Sequence, residues 1–351
     1  MNTPFFERTN LWSPNETYTN HRIPGMLVTK RGTLLVYCEA RRSLSDWAVM
    51  DILLQRSEDH GKSFSEPIKL AEGNDTHKTV NNPVMMQDKN GRIHFLYCED
   101  YTVNGGRALR RYSDDDGLTW SAPIDVTEFT RPYYHNAWAF GPGHGLVTRE
   151  GTLVVPIWMV PKYHEAPIKS HTPSVLSTFY SKDNGETWAV GDILDSNSLI
   201  ISPNETVAAL TSDGRVYLNI RFRGFCRAKA YSENGYSNWT QYAPDYKLPD
   251  PECFGSVAAY DDGEHPYTLI FANCATKTAR NTVTVRASTD NGQTYPISKL
   301  LDAERGGYVE VATDNDAKLI YILYEDKMGV TDHFVRCNYE WLLSKDEGNQ
   351  S

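Results

Sequence analysis

Four stretches of the chain repeat one short pattern: Ser57-x-Asp59-x-Gly61-x-Ser63-Phe64, Ser113-x-Asp115-x-Gly117-x-Thr119-Trp120, Ser181-x-Asp183-x-Gly185-x-Thr187-Trp188 and Ser288-x-Asp290-x-Gly292-x-Thr294-Tyr295. A fifth, eroded copy lies at Ser232-Glu233-Asn234-Gly235. The first serines fall at 57, 113, 181, 232 and 288, giving steps of 56, 68, 51 and 56, a period that marks a stacked or radial array. Each copy follows a run of alternating apolar and polar residues such as Thr282-Val283-Thr284-Val285-Arg286-Ala287, so the pattern belongs to a turn leaving a β-strand.

A second repeat runs ahead of the first. Gly32, Gly91, Gly151 and Gly214 each open a strand-like run and precede a serine pattern by 18 to 30 residues. One unit is then a small antiparallel sheet. Four strands per unit, a step near 56 and a length of 351 predict an all-β, six-bladed propeller with four-stranded antiparallel blades. No linker divides the chain, so residues 1–345 read as one propeller domain and 346–351 as a flexible tail. Within the repeated box, glycine tolerates positive φ and the Asp and Ser side chains bond nearby amides, so the box reads as a structural staple. A calcium loop is the rival, but one recurring carboxylate is too few for a hard cation.

Composition narrows the partners. A formal charge of −10 argues against nucleic acid or an anionic membrane, and an anionic ligand would need arginines converging at one place. No apolar run approaches the roughly 20 residues of a membrane span, and Met1 to Asn10 lacks a secretory pattern. The chain reads as cytoplasmic, or secreted if a signal was removed. Its six cysteines lack CxxC spacing and read as buried free thiols; with its ten histidines they show no ligand spacing, so neither metal nor other cofactor is expected.

The order Arg22-Ile23-Pro24, Glu39-Ala40-Arg41-Arg42, Asp46 and Asp51-Ile52, followed by the first box, resembles the exo-α-sialidase (neuraminidase) family of bacterial and animal type, and the resemblance continues through nearly the whole chain. It implies a sialoside substrate bound by three arginines that grip its carboxylate: Arg22, Arg221 in Leu218-Asn219-Ile220-Arg221, and Arg280 in Ala279-Arg280-Asn281-Thr282. Guanidinium matches a planar carboxylate where lysine offers only a point charge. Arg223 and Arg286 are the nearest competitors for these places. The resemblance further implies Tyr308 as nucleophile, Glu205 as the partner that takes its proton, Asp46 as acid/base, Glu325 as the carboxylate orienting Arg22, and Arg41 in the cleft. A phenol avoids the repulsion between two carboxylates that an acidic nucleophile would meet. For Asp46 to protonate a leaving group near neutral pH its pKa must rise, and Trp47 is expected to help by desolvation, with Asp51 as its rival.

These pieces imply hydrolysis of terminal α-linked sialic acid with retention of configuration. A relative preferring the deaminated sugar Kdn, a transglycosylating variant and a non-catalytic sialic-acid-binding propeller stand as alternatives. Three places depart from the family pattern: His21, Tyr37-Cys38-Glu39 and Phe254, the last where a glutamine beside the cleft is expected. Tyr133 to Trp138 reads as an aromatic loop at the cleft edge.

Overall fold

The computed structural model describes residues 3–76, 79–102, 105–133, 135–161 and 171–345; the 346–351 tail lies outside them. Six antiparallel sheets stand around a ring. In chain order their innermost strands are Asn20–Val28, Val80–Gln87, His135–Phe140, Thr206–Leu210, Ser256–Tyr260 and Val309–Asp314, defining blades 1 to 6. Blade 1 shows the plan, running outward through Leu34–Arg41 and Met50–Ser57 to Ile68–Glu72. Four blades have four strands. Two have five, a departure from the uniform expectation: Gly143–His144 adds in parallel to the inner strand of blade 2, and Leu146–Val147 pairs with Leu153–Pro161 in blade 3.

The apolar residues sort into six buried clusters, each filling the space between successive blades. This explains why Leu34–Arg41 is buried along its whole length instead of alternating: a neighbouring blade covers each face. The sixth blade is composite. Its outer strand is Phe6–Trp12, from the start of the chain, laid antiparallel on Thr331–Cys337. Six blades therefore carry five boxes, because a box joins the third strand of a blade to the fourth, and in blade 6 those strands are not consecutive.

Each box is built as its residue types dictate. In the second, Ser113 Oγ donates to Asp115 Oδ1 at 2.8 Å and accepts the Gly117 amide at 2.8 Å, while Asp115 Oδ1 accepts the Thr119 amide at 2.8 Å. The eroded copy keeps this wiring with Asn234 in place of the aspartate: its Oδ1 accepts Ser232 Oγ at 3.1 Å and the Ser237 amide at 2.9 Å. The box also docks on the preceding blade. Tyr231 donates to the Asn291 carbonyl at 2.8 Å, Thr178 to the Gly235 carbonyl at 2.8 Å, and a Cβ on Gly61 would lie 2.8 Å from the Phe334 ring.

Since inner strands run from one end of the ring to the other, the boxes share one end and the loops between second and third strands share the opposite end. Of Tyr133 to Trp138, expected as a cleft-edge loop, residues 135–138 instead lie in the inner strand of blade 3, His135–Phe140, and Trp138 is core. Tyr134 lies outside the described residues. The six cysteines are free and buried.

Candidate active site

At the end away from the boxes, a cleft of ≈ 170 Å³ opens on the ring axis, and Arg22, Arg41, Asp46, Glu205, Arg221, Arg280 and Tyr308 all line it. Their positions follow from the fold. Arg22 lies on the inner strand of blade 1, and Glu205 and Tyr308 directly precede the inner strands of blades 4 and 6. Arg41 and Arg221 stand at the tops of second strands, and Asp46 and Arg280 lie in loops from second to third strands.

Two bulges aim the inner strands. Pairing of Asn20–Val28 with Leu34–Arg41 shifts register between Arg22 and Gly25, and Ile23 takes φ 58, rare for a β-branched residue. Glu325, fully buried on the second strand of blade 6, holds this turn: Oε1 accepts the Ile23 amide at 2.9 Å and Arg22 Nε at 3.0 Å, and Oε2 accepts the Tyr308 amide at 3.2 Å. Blade 2 repeats the device, with Asn82 at φ 52 and its amide donating to Glu39 Oε1 at 2.7 Å. Glu39 also accepts Arg41 Nε, on Oε2 at 2.8 Å. One buried carboxylate per blade thus fixes an arginine and the bulge of the next blade.

The three arginines converge on Tyr308. The guanidinium carbons of Arg22, Arg280 and Arg221 lie 4.9, 5.5 and 5.9 Å from its ring centroid. The Tyr308 hydroxyl donates to Glu205 Oε1 at 2.6 Å and accepts from Arg221 Nη1 at 2.9 Å, and Arg221 also pairs with Glu205. Burial, then the Glu205 carboxylate, pushes the phenol above its usual range, against the pull of Arg221, Arg280 and Arg22. Among the described residues Arg280 pairs with no carboxylate; it donates to the Glu252 carbonyl at 3.3 Å. The competitors lie elsewhere: Arg223 is exposed toward Glu252, and Arg286 is buried on Asn273 Oδ1 at 2.9 Å.

Asp46 overturns one expectation. Burial raises its pKa, but Arg41, donating from Nη1 to Oδ1 at 2.7 Å, together with the charges of His171 and Arg22, outweighs burial and holds the carboxyl below its ordinary value. Trp47 is occupied elsewhere, stacked on Tyr101 at 4.9 Å. Asp51 is a buried strand residue that accepts the Tyr18 hydroxyl at 2.5 Å. Phe254 does not border the cleft: it is wholly buried behind Tyr308, the rings 5.6 Å apart. His21 is buried against Trp12 and Tyr18, and burial lowers its pKa to about 4.

Reading the sequence missed the far wall of the cleft, formed by Asn81, Asn82, Tyr101, Trp158 and His171. Three of these are aromatic rings, with His171 5.8 Å from Tyr101 and 5.3 Å from Trp158. Tyr101 Oη, Trp158 Nε1 and His171 Nε2 are buried without a hydrogen-bond partner among the described residues. No local pattern marks such residues, which come from three strands and a turn.

A ring of box-bearing blades with arginines and a tyrosine at its axis defines the class, and comparison with known proteins agrees. Residues 71–348 match the family model for the BNR repeat-like domain. The chain is 27% identical to an exo-alpha-sialidase of Arthroderma benhamiae, covering 97% of this chain and 89% of that protein, and 32% identical to Sialidase-2 of Rattus norvegicus, covering 73% and 72%. Among solved structures, the Hadza microbial sialidase Hz136 superposes with a TM-score of 0.81 at 26% identity, over 93% of this chain and 67% of that one. The chain belongs to the sialidase family and is a glycoside hydrolase of the exo-α-sialidase type.

Proposed function

We propose that the chain releases terminal α-linked sialic acid from sialosides by a retaining mechanism with Tyr308 as nucleophile. The observation that carries this reading is the placement of three guanidinium groups 4.9 to 5.9 Å from one phenol ring whose hydroxyl sits 2.6 Å from Glu205. A carboxylate attached to the anomeric carbon, gripped by Arg22, Arg221 and Arg280, brings that carbon over Tyr308.

Glu205 takes the phenolic proton as the oxygen attacks. The transfer also removes the negative charge that most opposes phenolate after burial itself, leaving Arg221 to stabilise the developing anion. Asp46 protonates the departing oxygen, then acts as base on the water that hydrolyses the tyrosyl intermediate, and configuration is kept. Glu325 orients Arg22, and Arg41 sets the charge state of Asp46.

The test uses aryl glycosides of N-acetylneuraminic acid and of Kdn, with the first product anomer read by NMR. The α-anomer is expected first, and Tyr308→Phe is expected to lower kcat on the order of 10³-fold or more. First appearance of the β-anomer, or undiminished turnover by Tyr308→Phe, would overturn the mechanism. An anhydro or transferred product would assign the chain to the transglycosylating branch, and binding without turnover would make it a sugar-binding propeller.

A further inference from the structure

Two of the buried cysteines are not isolated. Cys253 and Cys274 come from different parts of blade 5, one from the loop before its inner strand and one from the end of its second strand, yet both thiols donate to the Gly307 carbonyl, at 3.1 Å and 3.3 Å. The two thiols thus share one acceptor. Gly307 immediately precedes Tyr308. By contrast, Cys337 donates by itself to the Ile320 carbonyl at 3.6 Å.

The surroundings hold this pair in place. The Cys253 amide is bound by Asp250 Oδ1 at 2.9 Å and its carbonyl by Arg227 Nη1 at 2.8 Å, so the residue is fixed at both backbone groups. The Gly306-Gly307 segment passes so close that a Cβ on Gly306 would lie 2.8 Å from Cys274 Sγ, and one on Gly307 2.7 Å from Glu325. Two glycines thread the chain between the dithiol and the carboxylate that holds Arg22. Phe254, next to Cys253, packs on the Tyr308 ring.

Electrostatics divides the pair. Burial opposes ionisation of Cys253, but the adjacent Cys274 and the charges of Arg280 and Arg221 bring its pKa below the usual thiol value, while the adjacent Cys253 and burial push Cys274 up.

We propose that Cys253 and Cys274 form a redox-active dithiol, closed to a disulfide by hydrogen peroxide, that controls the seating of Tyr308. The Cys253 thiolate attacks one peroxide oxygen, the O–O bond breaks, and hydroxide leaves and takes up the thiol proton as water. Cys274 then attacks the sulfenic sulfur, forming the S–S bond and expelling a second water. Two thiols are oxidised and one peroxide is reduced to two waters. The disulfide removes both S–H donors from the Gly307 carbonyl and draws the Cys253 loop toward the second strand, shifting Phe254 and Gly307 on either side of the nucleophile.

The full chain is treated with hydrogen peroxide, the remaining thiols are alkylated, and non-reduced peptides are mapped by mass spectrometry alongside sialoside turnover. Expected are a Cys253–Cys274 linked peptide two hydrogens lighter than the reduced pair, a loss of turnover at least tenfold that tracks its yield, and recovery of both with dithiothreitol. Cys274→Ser, which keeps a donor to Gly307, should retain basal turnover and lose the reversible response; Cys253→Ser provides the same test if that variant does not fold. Absence of the linked peptide, or unchanged peroxide sensitivity in the serine variant, would overturn the proposal. The linked peptide is read independently of catalysis, so a failure of the sialidase mechanism would leave the crosslink intact.

Discussion

A single contact changes how Asp46 must work in the proposed acid/base role. Sequence alone gives Asp46 a loop position and Trp47 an apolar neighbour, from which a raised pKa follows; it does not show that Arg41, five positions earlier, reaches across the loop to grip the carboxylate. With its pKa held below the ordinary value, Asp46 is almost entirely ionised at neutral pH, and the protonated form that the proposed mechanism uses falls about tenfold for each unit of rising pH. Turnover of alkyl sialosides, which need that proton, should therefore climb toward acid pH. Arg41→Ala removes the lowering charge, so the alkaline limb of the kcat/KM profile should move to higher pH. Asp46→Asn should flatten that limb and cost about 10²–10⁴-fold on alkyl sialosides, less on aryl ones. An alkaline limb that stays in place in Arg41→Ala would remove Arg41 from this role. The arginines and Tyr308 could be recognised because each sits in a short distinctive run, whereas Tyr101, Trp158 and His171 are ordinary strand or loop residues until the ring brings them together.

At the level of one element, the box was legible as a turn because its bonding is local, running from the first serine to the aspartate two residues on and the glycine four on. Its second task, docking on the preceding blade, depends on distant partners such as Tyr231 and Phe334 and leaves no trace in the repeat itself. The carboxylates respond to this bonding. Thr119, through its hydroxyl and its amide, and then Ser113 hold Asp115 down at about 2, against a small opposing effect of burial. A carboxylate depressed in the folded state stabilises above its unfolded pKa, and that contribution disappears as pH falls through the folded value. Asp115→Ala should thus cost about 1–3 kcal/mol at neutral pH, read as a melting temperature lower by several degrees. The gap between the two proteins should stay constant from pH 7 to about 5 and close below pH 4. A gap that persists unchanged at pH 2 would show that the charge contributes nothing.

For the whole molecule, blade number was legible from the repeat period, but the closure was not, because Phe6–Trp12 carries no box and its partner strand lies 331 residues away at the first pair, Phe6 with Cys337, continuing through Arg8 with Val335 to Trp12 with Asp332. Charge behaves similarly: an acidic chain was expected to gather arginines, yet the cleft sets Arg22, Arg41, Arg221 and Arg280 against Glu39, Asp46, Glu205 and Glu325, and what concentrates is orientation, with Glu325 and Glu39 behind the guanidinium groups. Orientation of this kind requires a rigid ring. Trp12 is buried in the cluster shared by blades 6 and 1, beside Phe334 and Leu323 on one side and Leu34 and Val36 on the other, so the terminal strand joins the first blade to the last. Removing residues 1–12 would strip one edge from Thr331–Cys337, expose unpaired backbone and open that cluster. Loss of the Trp12 side chain alone should cost about 3–5 kcal/mol, and loss of the whole strand more. The truncated chain should melt at least 10 °C lower, aggregate in a concentration-dependent way and lose turnover, because Arg22 in blade 1 and its Glu325 anchor in blade 6 face each other across this seam. If it keeps its melting temperature and kcat, the seam is held by the inner strands alone and the terminal strand is an ornament of blade 6.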